Sequence, residues 1–79
     1  MRIYVETQNA ETLTLNVEQE DTVRTVKEKI KLVKKIPIDD QTLQYNGSNL
    51  KDGETLEKCG IYRDATLQVL IDVRRSTTM

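Results

Sequence analysis

Apolar and polar residues change their spacing several times along this 79-residue chain. Met1, Ile3 and Val5 alternate with polar Arg2 and Glu6, and Leu13, Leu15 and Val17 alternate with Thr12, Thr14 and Asn16. A period of two marks half-buried strands, so residues 1–7 and 12–17 are predicted to pair as a hairpin. Gln8-Asn9-Ala10 joins them as a turn, with Asn9 the residue suited to left-handed backbone angles.

The spacing then becomes helical. Val23, Val26, Ile30 and Val33 fall on one side of a helix placed at residues 22–34. Asp21-Thr22 offers an N-cap. Glu18, Glu20 and Asp21 near the start, and Lys31, Lys34 and Lys35 near the end, suit the helix dipole. Ile36-Pro37 stops the helix, because a residue before proline avoids the helical region. Beyond it the strand period returns: Leu43 and Tyr45 alternate with Thr42 and Gln44, and Asn46-Gly47 signals a tight turn. Leu50 is assigned to a short strand, Asp52-Gly53 to a further turn, and Leu56, Cys59 and Ile61 to core contacts under an irregular connection. Leu67, Val69, Ile71 and Val73 alternate as the longest strand. This order predicts an α+β fold, a sheet wrapped around one amphipathic helix.

Composition narrows the function. The length allows one domain with a modest core. Charged residues are 32% and apolar residues 37%, a balance that suits a folded chain. A net charge of −1 argues against nucleic acid or an anionic membrane as the main partner. No apolar run reaches membrane-spanning length, and the first residues lack a signal-peptide layout. Cys59 is the single cysteine, so no intrachain disulfide forms and the expected location is cytoplasmic, nuclear or both. With no histidine and one cysteine, the usual metal ligands and general base are missing. Neither catalysis, a metal site nor a cofactor is expected.

Met1-Arg2-Ile3-Tyr4-Val5, Thr12-Leu13-Thr14-Leu15, Asp21-Thr22-Val23, Val26-Lys27-Glu28-Lys29-Ile30, Ile36-Pro37, Asp52-Gly53-Glu54-Thr55-Leu56 and Ala65-Thr66-Leu67 resemble the ubiquitin-like family, without a gap from residue 1 to 74. The resemblance implies a β-grasp fold, a mixed sheet gripping one helix with the first and last strands adjacent and parallel. It implies a domain over residues 1–74, leaving 75–79 as a flexible tail or the start of a linker. It also implies protein partners, namely ubiquitin receptors, the proteasome or other ubiquitin-pathway components, met by a domain that is monomeric in isolation. Arg75-Ser76 stands where ubiquitin carries its Gly-Gly pair, no such pair follows, and Asp72 replaces an arginine. Of the chain-building lysines only Lys27 and Lys29 remain; Glu6, Glu11, Val33, Ser48 and Arg63 occupy the other positions. The expected role is a non-conjugated interaction domain, N-terminal in a larger protein. The alternatives are an adaptor subunit of the elongin B type, suggested by residues 50–61 with Cys59-Gly60, and, less favoured, a covalent modifier.

One residue breaks the alternation by itself: Leu70 is in phase with Thr66, Gln68 and Asp72 on the wet face. By resemblance, the family's receptor-binding patch maps onto Gln8, Gln44, Gly47, Gln68 and Leu70. Three glutamines there replace an apolar pair and a histidine, and each lost apolar side chain removes roughly 1.5–3 kcal/mol of burial. Leu70 read as an isolated surface leucine is therefore preferred where ordinary ubiquitin receptors are concerned. A smaller family patch maps onto Ile36, Ile71 and Val73, which serve equally well to close the core. Arg2, Tyr4 and Thr12 offer a third surface, although Tyr4 also suits an ordinary exposed strand position. Arg24, Lys27, Lys29, Lys31, Lys34 and Lys35 are expected to form a solvated helix face. Leu32 lies off the apolar stripe, as an extra partner contact or a partly covered surface residue. Lys35 stands where the family has glycine, so either the turn differs or the chain carries strain of about 1 kcal/mol. Cys59 is read as a small buried apolar residue in place of a loop-tying tyrosine.

Overall fold

The computed structural model describes residues 1–71, so Val73, Asp72 and the expected tail lie outside the described residues. Strand β1 (Arg2–Glu6) pairs antiparallel with β2 (Thr12–Asn16), setting Ile3 opposite Leu15 and Val5 opposite Leu13. Because side chains alternate across a strand, this register puts all four on one face. Strand β5 (Thr66–Ile71) runs parallel beside β1, with Leu67 opposite Val5. Strand β3 (Gln41–Tyr45) pairs antiparallel with β5, with Leu43 opposite Val69, and β4 (Ser48–Asn49) closes the far edge. The sheet order is β2-β1-β5-β3-β4, with the first and last strands adjacent and parallel as the resemblance implies.

The one α-helix among the described residues, α1 (Val23–Lys34), buries Val23, Val26 and Ile30 among Ile3, Val5, Leu13, Leu15, Leu43, Leu67 and Val69. Thr22 is its N-cap, with the Thr22 hydroxyl accepting from the Thr25 N–H at 3.3 Å. Asp21 instead fastens the preceding turn, its carboxylate accepting from the Glu18 N–H at 2.9 Å. Two of the first helical N–H groups donate to backbone carbonyls of a neighbouring loop: Val23 to Glu54 and Arg24 to Asp52. These are donors that a helix start cannot satisfy internally. The same loop closes as Leu56 N–H donates to the Asp21 carbonyl, which carries Leu56 and Ile61 into the core.

Three expectations are corrected. Val33 does not belong to the buried stripe and is 57% exposed. The covered row runs Val26, Ile30, Lys34 at four-residue spacing, and Val33 sits beside it at the helix end. Lys27 does not lie on a solvated face: it is buried, and its ammonium donates to Asp52 Oδ1 at 2.7 Å. In the first hairpin the left-handed residue is Ala10 (φ 66°), not Asn9. Ala10 N–H donates to the Thr7 carbonyl, so Gln8 and Asn9 are the centre of the turn and Ala10 takes the bulge position after it. α1 ends at Lys34, as its expected bounds had it, through Lys35 at φ 62°, whose N–H donates to the Lys31 carbonyl. The strained alternative is thus the one adopted. The Asn46-Gly47 turn has φ 55° and 81°, the paired positive values of the two-residue hairpin expected there.

Candidate protein-binding surface

The inner face of the sheet is spent on the helix, so any partner of the sheet meets its outer face. Register decides what that face shows. Thr12 pairs with Glu6, Glu6 with Gln68, Gln68 with Gln44 and Gln44 with Asn49. One polar row therefore crosses all five strands. Gln44 is half-covered within it, because its Nε2 donates to Asn49 Oδ1 at 2.7 Å. The next row holds Leu70 opposite Thr42, and Leu70 is 40% exposed. Gln8 joins this side from the β1–β2 turn, where its Oε1 accepts from the Ile71 N–H at 3.1 Å. Gly47 sits in the β3–β4 turn that follows Gln44 and Tyr45. A shallow cleft of about 110 Å³, lined in part by Glu6, Gln8, Gln68 and Leu70, lies along the β1–β5 seam.

The structure thus gathers Gln8, Gln44, Gln68 and Leu70 on one face, with Gly47 at its edge. Glu6 and Asn49 complete the row and were not picked out from the sequence, and Thr12, expected on a separate third surface, joins it, because only the cross-strand register brings them into line. Tyr4 and Arg2 continue the same face rather than making a separate surface, since Tyr4 pairs between Thr14 and Thr66.

Ile36 and Ile71 are both half-buried, and both adjoin Gln41. Ile71 is the cross-strand partner of Gln41, and the Ile36 carbonyl accepts from Gln41 Nε2 at 3.0 Å. The same Nε2 donates to the Lys27 carbonyl at 3.1 Å, so one buried amide links β3 to α1 and to the chain after it. Gln41 Oε1 is buried with no hydrogen-bond partner among the described residues. The sequence signal for Gln41 was its phase with Leu43, which puts an amide on the apolar side. Val73, the remaining member of this smaller patch, lies outside the described residues.

Cys59 is half-buried against the core, with its Sγ 3.6 Å from Glu54 Oε1. Partial burial, the hydrogen bond and the negative charge of Glu54 all raise its pKa, which disfavours the thiolate. Among the described residues no group of three His, Cys, Asp or Glu side chains converges as a metal site would need, and no helix is long and apolar enough to cross a membrane.

Residues 3–74 match the profile described as the Ubiquitin family. The chain is 32% identical over 71 residues to the Protein DNA-DAMAGE INDUCIBLE 1 of Arabidopsis thaliana; the match covers 90% of this chain and 17% of that protein. It is 34% identical over 58 residues to the Ubiquitin-like protein NEDD8-like protein 2 of Dictyostelium discoideum, covering 73% of this chain and 72% of that one. The pairing of first and last strands, the single helix buried against the sheet and a match across nearly the whole described chain lead to one assignment: this chain belongs to the ubiquitin family.

Proposed function

We propose that this chain is a non-conjugated protein-interaction domain, part of a longer protein, that docks its parent onto the proteasome or another ubiquitin-pathway component. The observation that carries the reading is the outer sheet face, where Thr12, Glu6, Gln68, Gln44 and Asn49 make an unbroken polar row beside exposed Leu70. A broad face with one apolar anchor and a hydrogen-bonding rim matches the anatomy of a protein interface, in which a few buried side chains carry most of the energy. On this reading Leu70 is the anchor, and Gln8, Gln44, Gly47 and Gln68 surround it. Ile36, Ile71 and Val73 extend the contact at the sheet end. Two features support the reading. Arg75 and Ser76 occupy the place of a Gly-Gly pair, and only glycines give a backbone slim enough for a narrow enzyme channel. The Arabidopsis relative is several times longer than its matching segment, which supports a domain within a larger protein.

The polar row also favours a second reading. A face that has exchanged apolar side chains for amides suits one dedicated partner, as in an adaptor subunit. A denaturing immunoblot of source-cell extract, with an antibody to this domain, separates the readings. A single discrete band well above the domain's mass supports the integral domain. A ladder that collapses when Arg75 and Ser76 are replaced establishes a covalent modifier and overturns the proposal. A band at the domain's own mass, with a stoichiometric co-purifying partner, establishes the adaptor.

A further inference from the structure

The surface of α1 turned away from the sheet carries a feature that the sheet-face reading does not use. Leu32 lies two positions after buried Ile30, which rotates it by about 200° around the helix, to the side opposite the core. It is 77% exposed, the most exposed large apolar side chain among the described residues. It does not stand alone. Leu32, Pro37, Lys31 and Lys35 line a cleft of about 330 Å³ at the helix C-terminus. This lies at the lower end of the ~300–1,000 Å³ range of ligand pockets and has room for a large apolar side chain. Its lining combines a leucine and a proline ring with two lysines, side chains that can bury their methylene stems while the charged head stays in water.

Charge fixes the chemistry of the occupant. Lys31 and Lys35 make no ion pair among the described residues, whereas Lys27 is spent on Asp52 and Lys34 on Glu11. Half-buried Lys29, three positions before Leu32, adds to the same side of the helix. Of the nearby carboxylates, Glu28 is held by Arg24 at 3.5 Å, and Asp39 stands two positions beyond Pro37. Lysines at a helix C-terminus also complement its dipole, but that role is served equally well with a polar residue at position 32. The geometry points to a second docking surface, in which an acidic segment of a partner protein seats one large apolar side chain between Leu32 and Pro37 and sets its carboxylates against Lys31 and Lys35. Nucleic acid fits less well: no aromatic or arginine side chain lines the cleft to stack on bases, and a leucine occupies its centre. This surface shares no residue with the outer sheet face, so it stands or falls independently of the function proposed above.

The test is an amide-resolved NMR titration of the intact chain. The probe is a short capped peptide carrying one Leu and one Phe a helical turn apart among Asp and Glu. Saturable shifts centred on Lys31, Leu32 and Lys35 are expected. The Leu32→Asp chain should weaken binding about tenfold or more. Lys31→Glu and Lys35→Glu should weaken it roughly two- to fivefold each. Since Leu32 and Lys35 are exposed, amide shifts elsewhere in these variants should match the parent and show that the fold is kept. The proposal is overturned by an absence of saturable shifts or by shifts centred on Gln68 and Leu70. Equal binding of a peptide with Leu and Phe replaced by Ser also overturns it. So does stronger perturbation of the same amides by a single-stranded oligonucleotide or by anionic vesicles, which assigns the lysines to phosphate.

Discussion

Removing the carboxylate of Asp52 should destabilise this domain more than removing the charge of Lys27 that it neutralises. Lys27 is buried within α1, whereas the Asp52 side chain is 44% exposed on the neighbouring loop, and the two meet at 2.7 Å. At that separation the attraction of two unit charges is about 1.5 kcal/mol at the dielectric constant of water and about 6 kcal/mol at an effective value of ~20. Half-exposed Asp52 places the pair toward the lower figure. Burial of Lys27 makes the two deletions unequal. Asp52→Ala leaves an ammonium in the interior without its counter-charge, whereas Lys27→Met fills the same space with an apolar chain and orphans only a carboxylate that water reaches. The expected losses are about 2 kcal/mol for Asp52→Ala and under about 1 kcal/mol for Lys27→Met, with Asp52→Asn between them. A domain of this length has a total stability of about 4–12 kcal/mol, so the larger loss is substantial. The chain has no tryptophan, and urea unfolding is best followed by far-ultraviolet circular dichroism. With a slope of ~1 kcal/mol/M, Asp52→Ala should lower the midpoint by about 2 M. If Lys27→Met proved as damaging as Asp52→Ala, the argument from an orphaned buried charge would be refuted, and the lysine would matter through its own packing or attraction.

Lys35→Gly should raise stability by about 0.5–1 kcal/mol, because glycine adopts the left-handed angles of this helix end without strain. The check is a rise in Tm of about 2–8 °C, and an unchanged or lower value contradicts the strain. Ile30→Ala should cost about 2–5 kcal/mol, whereas Val33→Ala should stay within about 0.5 kcal/mol. Chemical denaturation of the two variants tests the corrected helix face. Cys59 should react with iodoacetamide more slowly than a free cysteine at the same pH, since its raised pKa shrinks the thiolate fraction. Glu54→Gln removes the negative charge that helps hold the proton, so it should speed alkylation and shift the rate profile to lower pH; a profile that does not move removes Glu54 as a cause. By the same sign, the neutral thiol's contribution to stability is complete below the ordinary cysteine pKa and is lost as pH rises through the raised value.

The sequence by itself determined the order of the strands and the α-helix and most of the core, because local physics writes both into the spacing, while the 3-10 turn at Ile38–Asp40 and the place of the short strand at Ser48–Asn49 rather than Leu50 were not legible in it. Period two in Ile3–Val5, Leu13–Leu15 and Leu67–Val69 assigned those side chains to one face, and the Asn46-Gly47 pair specified its own turn. Leu70 stood out for the same reason, as an apolar residue in a polar phase. Other features depended on which element came to lie against which. Val33 and Lys27 show it most directly. Spacing alone placed Val33 inside and Lys27 outside, but the packed row drifts to four-residue steps, and the loop bearing Asp52 closes over Lys27. Ala10 takes the left-handed angle that Asn9 was suited for, because the position of the bulge follows from closure of the β1–β2 hairpin rather than from residue preference. The polar row from Thr12 to Asn49 was illegible in sequence, since it joins residues from five strands by register. The cleft beside Leu32 arises where the chain leaves the helix through left-handed Lys35 and brings Pro37 beside it. Spacing within a segment can be read residue by residue; contact between segments is decided by tertiary packing, which puts groups distant in sequence within the few ångströms over which charges and hydrogen bonds act.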